Sequence, residues 1–226
     1  MTRYGFLAIW CRIGAADLDD YRHWLTREHI ADRARLPGFL GVRLFTGLND
    51  ETAHFILYAT AGRGVLQSPP YLAVLNDPSP WTRRIMPKFR DFDRAAGAQS
   101  VKLGNGFGAF VAVSRIGSAG ADPDPDRLAT ALERLMATPG VVSVRLMAVD
   151  KASTDIGSEE KTMRSGVEGG FRHLLCIEAM GEAAVRSAAQ GVADWLREAF
   201  AGPARPEVST FRVIYGEAPH EEKTAS

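Results

Sequence analysis

The chain has 226 residues, of which 46% are hydrophobic and 24% are charged, a balance typical of a soluble globular protein of one large or two small domains. Lys and Arg together number 27, as do Asp and Glu, so the net charge is zero and a nucleic-acid partner is not expected. No apolar run is long enough to span a bilayer, and the N-terminus lacks signal-peptide features. We therefore expect no membrane partner and a cytoplasmic location. Cys11 and Cys176 lie in apolar runs and are expected to be buried free thiols.

The first half of the sequence predicts four strands, at residues 5–13, 39–47, 53–61 and 99–103. A helix follows the first strand: Asp17 is suited to its N-cap, and Pro37-Gly38 ends it after residue 36. Two Ser-Pro steps, at residues 68–69 and 79–80, open two more helices. The second of these is expected to continue to residue 97 with a kink or interruption at Pro87. Residues 63–97 are therefore predicted to be an inserted helical segment.

The second half begins a similar series of elements after a hinge at residues 104–106. Strands are predicted at residues 107–116, 141–149, 171–180 and 208–215, and helices at 125–137 and 182–200. A Gly/Asp/Pro linker covers residues 117–124, a mobile loop is expected at 150–170, and a disordered tail at 217–226.

The order βαββαβ thus occurs twice, and matched sequence segments support an internal repeat. GFLAIW at Gly5 matches GFGAFV at Gly106, and LPGFLGVRLF matches TPGVVSVRLM, which aligns Arg43 with Arg145. We predict an α+β fold of tandem ferredoxin-like repeats, spanning residues 1–104 and 105–216. Each sheet needs cover on the face without helices, so the two sheets should meet inside the molecule, with the helices outside.

This arrangement resembles the dimeric α+β barrel superfamily in its fused form, with both units in one chain. In the first half, Tyr21, Trp24, His29, Asp32 and the LPGF run at residues 36–39 are similar to the EthD-like pattern of that superfamily. Its members include cofactor-free monooxygenases, isomerases, lyases, dehydratases, haem enzymes and proteins of unknown role. The resemblance therefore implies a fold and leaves the activity open.

Candidate catalytic residues lie on the first helix. A helical period places one set of residues on a single sheet-facing side: Leu18, Tyr21, Leu25, His29, Asp32 and Leu36. His29 three residues before Asp32 predicts a hydrogen bond that raises the histidine pKa and suits acid/base catalysis. Tyr21 could donate its hydroxyl to a ligand. The second half has Ala131 and Arg134 at the matching positions, so the pair belongs to the first half alone. The alternative is a buried histidine that hydrogen-bonds to an acid or a carbonyl in a purely structural role.

Six further residues are candidates for substrate binding. Trp24 lies off the helical stripe, which favours packing. Arg43 and His54 recur in both halves as Arg145 and His173, and this repetition favours an architectural role, such as an ion pair near the pseudo-twofold axis. A basic, aromatic run in the inserted segment could hold a carboxylate or phosphate, although a solvated helix face is favoured. The six candidates are Trp24, Arg43, His54, Trp81, Arg83 and Arg84.

Together these features predict a cofactor-independent lyase, dehydratase or isomerase that acts on a small apolar or aromatic compound. The pocket would lie in the first half under the inserted segment. One alternative is a non-catalytic small-molecule-binding or stress-response protein, and another is a cofactor-free monooxygenase or a haem-binding barrel that uses a histidine such as His173. No nucleotide-loop or metal motif occurs, so neither a cofactor nor a metal is expected. A homodimer through the outer faces is compatible with this fold.

Overall fold

The computed structural model describes residues 4–117, 123–200 and 207–218. The strands of the first half are β1 (Gly5–Arg12), β2 (Phe39–Gly47), β3 (Ala53–Thr60) and β4 (Arg90–Leu103). Those of the second half are β5 (Phe110–Ile116), β6 (Val141–Val149), the two-residue β7 (Val167–Glu168), β8 (His173–Ala179) and β9 (Glu207–Glu217).

Eight of these strands close into an antiparallel barrel, in the order β1-β3-β2-β9-β5-β8-β6-β4, with β4 pairing back onto β1. The first half contributes β4-β1-β3-β2 and the second half β9-β5-β8-β6, which is the same ferredoxin-like order. The halves join where β2 pairs with β9 and where β4 pairs with β6. The predicted tandem α+β barrel is confirmed, whereas the domain boundary at residue 104 stays a prediction. Residues 219–226 of the expected tail lie outside the described residues.

The helices lie outside the barrel. In the first half, α1 (Leu18–Trp24), a π-helical turn (Leu25–His29) and α2 (Ile30–Ala34) follow one another without a break, and α3 (Pro69–Asn76) and α4 (Pro80–Ile85) come later. The second half has α5 (Pro125–Met136), α6 (Lys151–Thr154), α7 (Glu159–Thr162) and α8 (Glu182–Ala199). Among the described residues, no helix has the length and apolar character needed to cross a membrane.

The repeated Pro-Gly steps end the first helix of each half as predicted. Gly38 and Gly140 adopt φ angles of 87° and 85°, a left-handed conformation that glycine reaches without steric cost. Asp17 is the N-cap residue of α1, as predicted. Its side chain makes no capping hydrogen bond, however, and instead accepts one from Lys88 Nζ at 2.7 Å. The strands that follow the two glycines have the same nine-residue length.

The barrel interior is filled with side chains, many of them aromatic. Trp10 and Phe55 have ring centroids 5.0 Å apart, and Phe55 and Phe211 are 5.5 Å apart. Alternate residues of each strand point the other way, into an apolar layer under the helices of each half. The first-half layer is the one that includes residues of the predicted site.

The predicted helix over residues 80–97 is wrong beyond Ile85. A 3₁₀ turn (Met86–Lys88) follows α4, and β4 begins at Arg90. The start of β4 pairs with β1 and its end pairs with β6, so its backbone groups are satisfied in the sheet. These tertiary hydrogen bonds override the helix propensity of the alanines in this stretch. The inserted segment is therefore shorter than predicted.

The predicted mobile loop at residues 150–170 is also wrong, because this segment forms α6, α7 and β7 and packs on the first half. Thr154 Oγ1 accepts a hydrogen bond from Ala96 N at 2.9 Å. Gly166, at φ 154°, lies so close to β4 that an added Cβ would be 2.4 Å from Phe92 O. The ordering contacts come from residues far away in sequence, which a local period cannot reveal. We call residues 151–168 the cover segment.

Candidate functional site

A cavity of about 40 Å³ lies between the first-half sheet and the layer that covers it. We call it the half-one cavity. Its lining includes Leu7, Ile9 and Cys11 of β1, Trp24, Leu25, His29 and Arg33 of the first helix, Tyr71, Leu75, Met86 and Phe89 of the inserted segment, Phe92 and Arg94 of β4, and Ile156, Ser158, Glu160 and Arg164 of the cover segment. This volume holds a few water molecules. It is far below the roughly 300–1,000 Å³ of pockets that enclose a drug-sized ligand, so a larger molecule needs the covering layer to move.

His29 borders this cavity and is 5% exposed. Its ring lies 4.1 Å, centroid to centroid, from the indole of Trp24. Among the described residues, its Nδ1 has no hydrogen-bond partner. Burial lowers the pKa of His29 well below its usual 6.5, and the nearby charges of Arg33 and Arg164 lower it further. The imidazole is therefore neutral near pH 7, and it can accept a proton where a negative charge forms beside it to offset the burial and the two guanidinium groups.

The predicted pairing of His29 with Asp32 is wrong. Asp32 is exposed, and Arg33 occupies the inward position beside the cavity. The cause is the π-helical turn at Leu25–His29, which adds one residue and rotates the following positions by about 100° relative to a regular helix. The expected rise in the histidine pKa is likewise wrong, because burial lowers it.

Arg33 and Glu160 form a buried ion pair across the cavity wall. Arg33 Nη2 donates to both Glu160 carboxylate oxygens, at 2.6 and 2.7 Å, and the two residues are 3% and 5% exposed. Arg33 Nη1 also donates to the His29 carbonyl at 3.0 Å. The pair joins the first helix to α7, so it fixes the cover segment of the second half onto the first half.

Two more guanidinium groups line the cavity. Arg94 is 5% exposed, and its Nη1 donates to the carbonyls of Ser153 and Thr154. Arg164 lies 3.7 Å from the Phe92 ring centroid and donates to Glu168 at 2.8 Å. The cavity thus combines aromatic and aliphatic walls with a positively charged side.

Tyr21 and His54 lie together behind the cavity wall. The Tyr21 hydroxyl is 3.2 Å from Cys11 Sγ, and burial raises the pKa of Tyr21 well above 10. The His54 ring packs 4.8 Å from the Tyr21 ring, and its Nδ1 bonds to the Thr52 carbonyl at 3.1 Å. Neither side chain is part of the cavity lining. These contacts favour packing over direct chemistry.

Of the other predicted binding residues in the first half, Trp24 alone borders the cavity. Its Nε1 donates to Thr82 Oγ1 at 3.0 Å, which anchors the inserted segment to the first helix. Trp81 and Arg84 instead bind Asp20 at the surface, at 3.0 and 3.1 Å. Arg83 is exposed and donates to the Pro78 carbonyl, so this basic group lies outside the cavity.

Arg43 lines a second groove, of about 390 Å³, which shares no residue with the half-one cavity. Arg43 Nη2 donates to Glu178 Oε1 at 2.7 Å, and its repeat partner Arg145 forms an ion pair with the same carboxylate. Glu178 has no solvent exposure. Two repeat-related arginines that share one buried acid fit the architectural interpretation of this pair.

The sequence interpretation did not single out Arg33, Glu160 or Arg164. Arg33 follows His29 by four residues, a spacing that places two helical side chains on one face and could have identified it. Glu160 meets Arg33 across 127 residues of chain, so no local pattern signals that contact.

Several solved structures resemble this chain along nearly its whole length. An anthrone oxidase-like protein superposes with a TM-score of 0.63 at 13% identity, covering 100% of this chain and 97% of the other. A candidate monooxygenase from Lactobacillus acidophilus NCFM gives 0.55 at 10% identity, with 96% and 97% covered. A variant of chlorite dismutase from Candidatus Nitrospira defluvii gives 0.53 at 11% identity, with 93% and 91% covered. The chain has a dimeric α+β barrel fold. No family model and no curated protein sequence matches it.

Proposed function

We propose that this protein is a cofactor-independent oxidoreductase that oxidises a small, electron-rich aromatic compound in the half-one cavity. His29 would act as the general base. The observation that carries the proposal is a buried, neutral histidine with an unpartnered ring nitrogen beside the aromatic side chains of a cavity. The names of the anthrone oxidase-like protein and the candidate monooxygenase support oxidation as the reaction type.

The chemistry begins with proton transfer from a carbon or hydroxyl next to an aromatic carbonyl or phenol to His29. The resulting carbanion or phenolate is electron-rich and can react directly with dioxygen. With anthrone as substrate, one oxygen atom becomes the new carbonyl of anthraquinone. The other leaves as water with the two methylene hydrogens, so four electrons pass from carbon to dioxygen. General-base catalysis of this kind contributes about 10²–10⁴-fold.

The first alternative is a lyase, dehydratase or isomerase that uses the same proton abstraction without dioxygen. The second is a non-catalytic binding protein. A third alternative is haem binding, which would need the cover to move, as anthrone would, because a cavity of about 40 Å³ does not admit a macrocycle. His173 packs 5.5 Å from Phe200 in the second half, away from this cavity. The EthD-like assignment and a homodimer both stay predictions.

An oxygen-electrode assay with anthrone tests the proposal, with anthraquinone followed by its absorbance. His29→Gln should lower turnover by about 100-fold or more. The matched control is His23→Gln, which changes an exposed histidine on the same helix and should leave turnover within about twofold. Full activity of His29→Gln would contradict the proposal, and product formation without oxygen uptake would favour the first alternative. A Soret band in the purified protein would favour haem.

A further inference from the structure

The charged groups around the half-one cavity do not balance. Three guanidinium groups line it, those of Arg33, Arg94 and Arg164. Among the described residues, two carboxylates with little exposed side-chain area form ion pairs with them: Glu160 with Arg33, and Glu168 with Arg164 at 2.8 Å. Glu168 also lies 3.0 Å from Lys161 Nζ, so its charge is already shared. Arg33 and Arg164 thus each have a carboxylate in an ion pair, whereas the described residues show none for Arg94, whose neighbour across the β4–β7 pair is Glu168.

Arg94 has no carboxylate partner among the described residues. Its Nη1 donates to two backbone carbonyls, while its Nη2 is buried and has no hydrogen-bond partner. An isolated buried cation is strongly unfavourable unless an anion or a set of acceptors compensates it. The adjacent Asp93 does not help, because successive strand residues face opposite sides and Asp93 pairs with Arg115 at 2.9 Å.

A purely structural role accounts for only part of this arrangement. Donation to the Ser153 and Thr154 carbonyls ties the cover segment to β4, but it uses Nη1 alone. The unpartnered Nη2 is left beside a cavity that also contains the unpartnered His29 Nδ1. A ligand with a negatively charged oxygen would satisfy Arg94, and its acidic proton would suit His29.

We propose that the half-one cavity binds an aromatic oxyanion, whether phenolate, enolate or carboxylate, with its oxygen held by Arg94 and its ring among Trp24, Phe89 and Phe92. This inference rests on the site of the proposed function and deepens it by naming the charged group of the ligand. Once the cover segment has moved to admit the ligand, the guanidinium group of Arg94 can donate to the oxyanion that forms when His29 takes the proton.

The first probe is 4-nitrophenol, whose phenolate is coloured. Binding beside Arg94 should make the bound phenol ionise at least one pH unit lower than the free compound, a tenfold change in its ionisation constant. Arg94→Gln should abolish this shift. Arg94→Lys should keep part of the ionisation shift, because the positive charge remains while the planar guanidinium group is lost. The control Arg127→Gln removes an exposed charge in the second half and should retain the full shift.

The second probe pair is benzoate and its neutral analogue benzamide, measured by calorimetry. Benzoate should bind more tightly than benzamide, and Arg94→Gln should weaken benzoate by about 10- to 100-fold while leaving benzamide unchanged. If Arg94→Gln does not fold, Arg94→Lys supplies the same comparison with a smaller loss. Equal binding of benzoate and benzamide, with no ionisation shift of nitrophenol, would overturn the proposal.

The two proposals fail separately. If His29→Gln abolishes oxygen uptake while Arg94 substitutions leave both probes unaffected, the anion site is refuted and the proposed oxidation stands. If both probes depend on Arg94 and no oxygen is consumed with anthrone, the anion site stands and the oxidation with that substrate is refuted.

Discussion

Breaking the buried ion pair between Arg33 and Glu160 should destabilise the protein strongly. In Glu160→Gln the guanidinium of Arg33 stays buried without a counter-charge, since the Arg33 side chain is 4% exposed and that of Glu160 is 7% exposed. Removal of one partner from such a pair costs about 3–5 kcal/mol. For a chain of this size, 1 kcal/mol corresponds to about 2–4 °C, so Tm should fall by about 6–20 °C.

The matched perturbation removes both charges. Arg33→Met combined with Glu160→Met leaves no uncompensated ion and retains apolar volume, so the double variant should be more stable than Glu160→Gln. A second control is Arg134→Met, which breaks an exposed pair with Glu198 between two second-half helices. That pair should contribute no more than about 1 kcal/mol.

Urea denaturation followed by circular dichroism measures all three variants, and the midpoint and slope separate stability from changes in the unfolded state. A loss below about 1 kcal/mol in Glu160→Gln would refute the reasoning, because it would mean that the pair is not buried in solution. A double variant as unstable as Glu160→Gln would show that packing of the cover segment, and not charge, limits stability.

Three further predictions concern other buried groups. Burial lowers the pKa of His54 to about 4, so the folded state excludes a proton that the unfolded state binds below about pH 6.5. His54 should therefore not affect stability above that pH and should cost about 2 kcal/mol at pH 5, in addition to the cost of the buried His29. His54→Gln should remove the part due to His54 in urea titrations at the two pH values. Burial raises the pKa of Cys11 to about 12 and that of Cys176 to about 11, so neither thiol should react with a chromogenic disulfide at pH 8 until urea is added. Glu178→Gln should cost about 3–5 kcal/mol by chemical denaturation, since it leaves two guanidinium groups without their shared carboxylate, and a cost below 1 kcal/mol would contradict that architecture.

The repeated elements were predictable because local signals and the fold agree there. The Pro-Gly steps at Gly38 and Gly140 both require a left-handed backbone, and the apolar runs after them form β2 and β6 at the predicted bounds. Their matched order in the two halves was enough to predict a closed barrel. Consistency between local preference and tertiary pairing explains this success.

The chemistry of the cavity was harder to predict, because it depends on departures from regular periods. The π-helical turn moves Arg33 inward in place of Asp32. The residue types in Leu25–His29 do not predict such a turn. Arg94 lies in a charged run that is typical of a solvated helix, yet it is buried in β4, between β1 and β7. Glu160 and Arg164 belong to a segment whose order comes from contacts with the other half.

The most direct test of the account is a crystal structure of the protein with 4-nitrophenol bound. We predict that the ring lies in the half-one cavity beside Trp24, with the phenolate oxygen within hydrogen-bond distance of Arg94 and His29, and that the cover segment has shifted to admit it. Ligand in the groove beside Arg43, with the half-one cavity unchanged, would contradict the central claim that function resides in the first half.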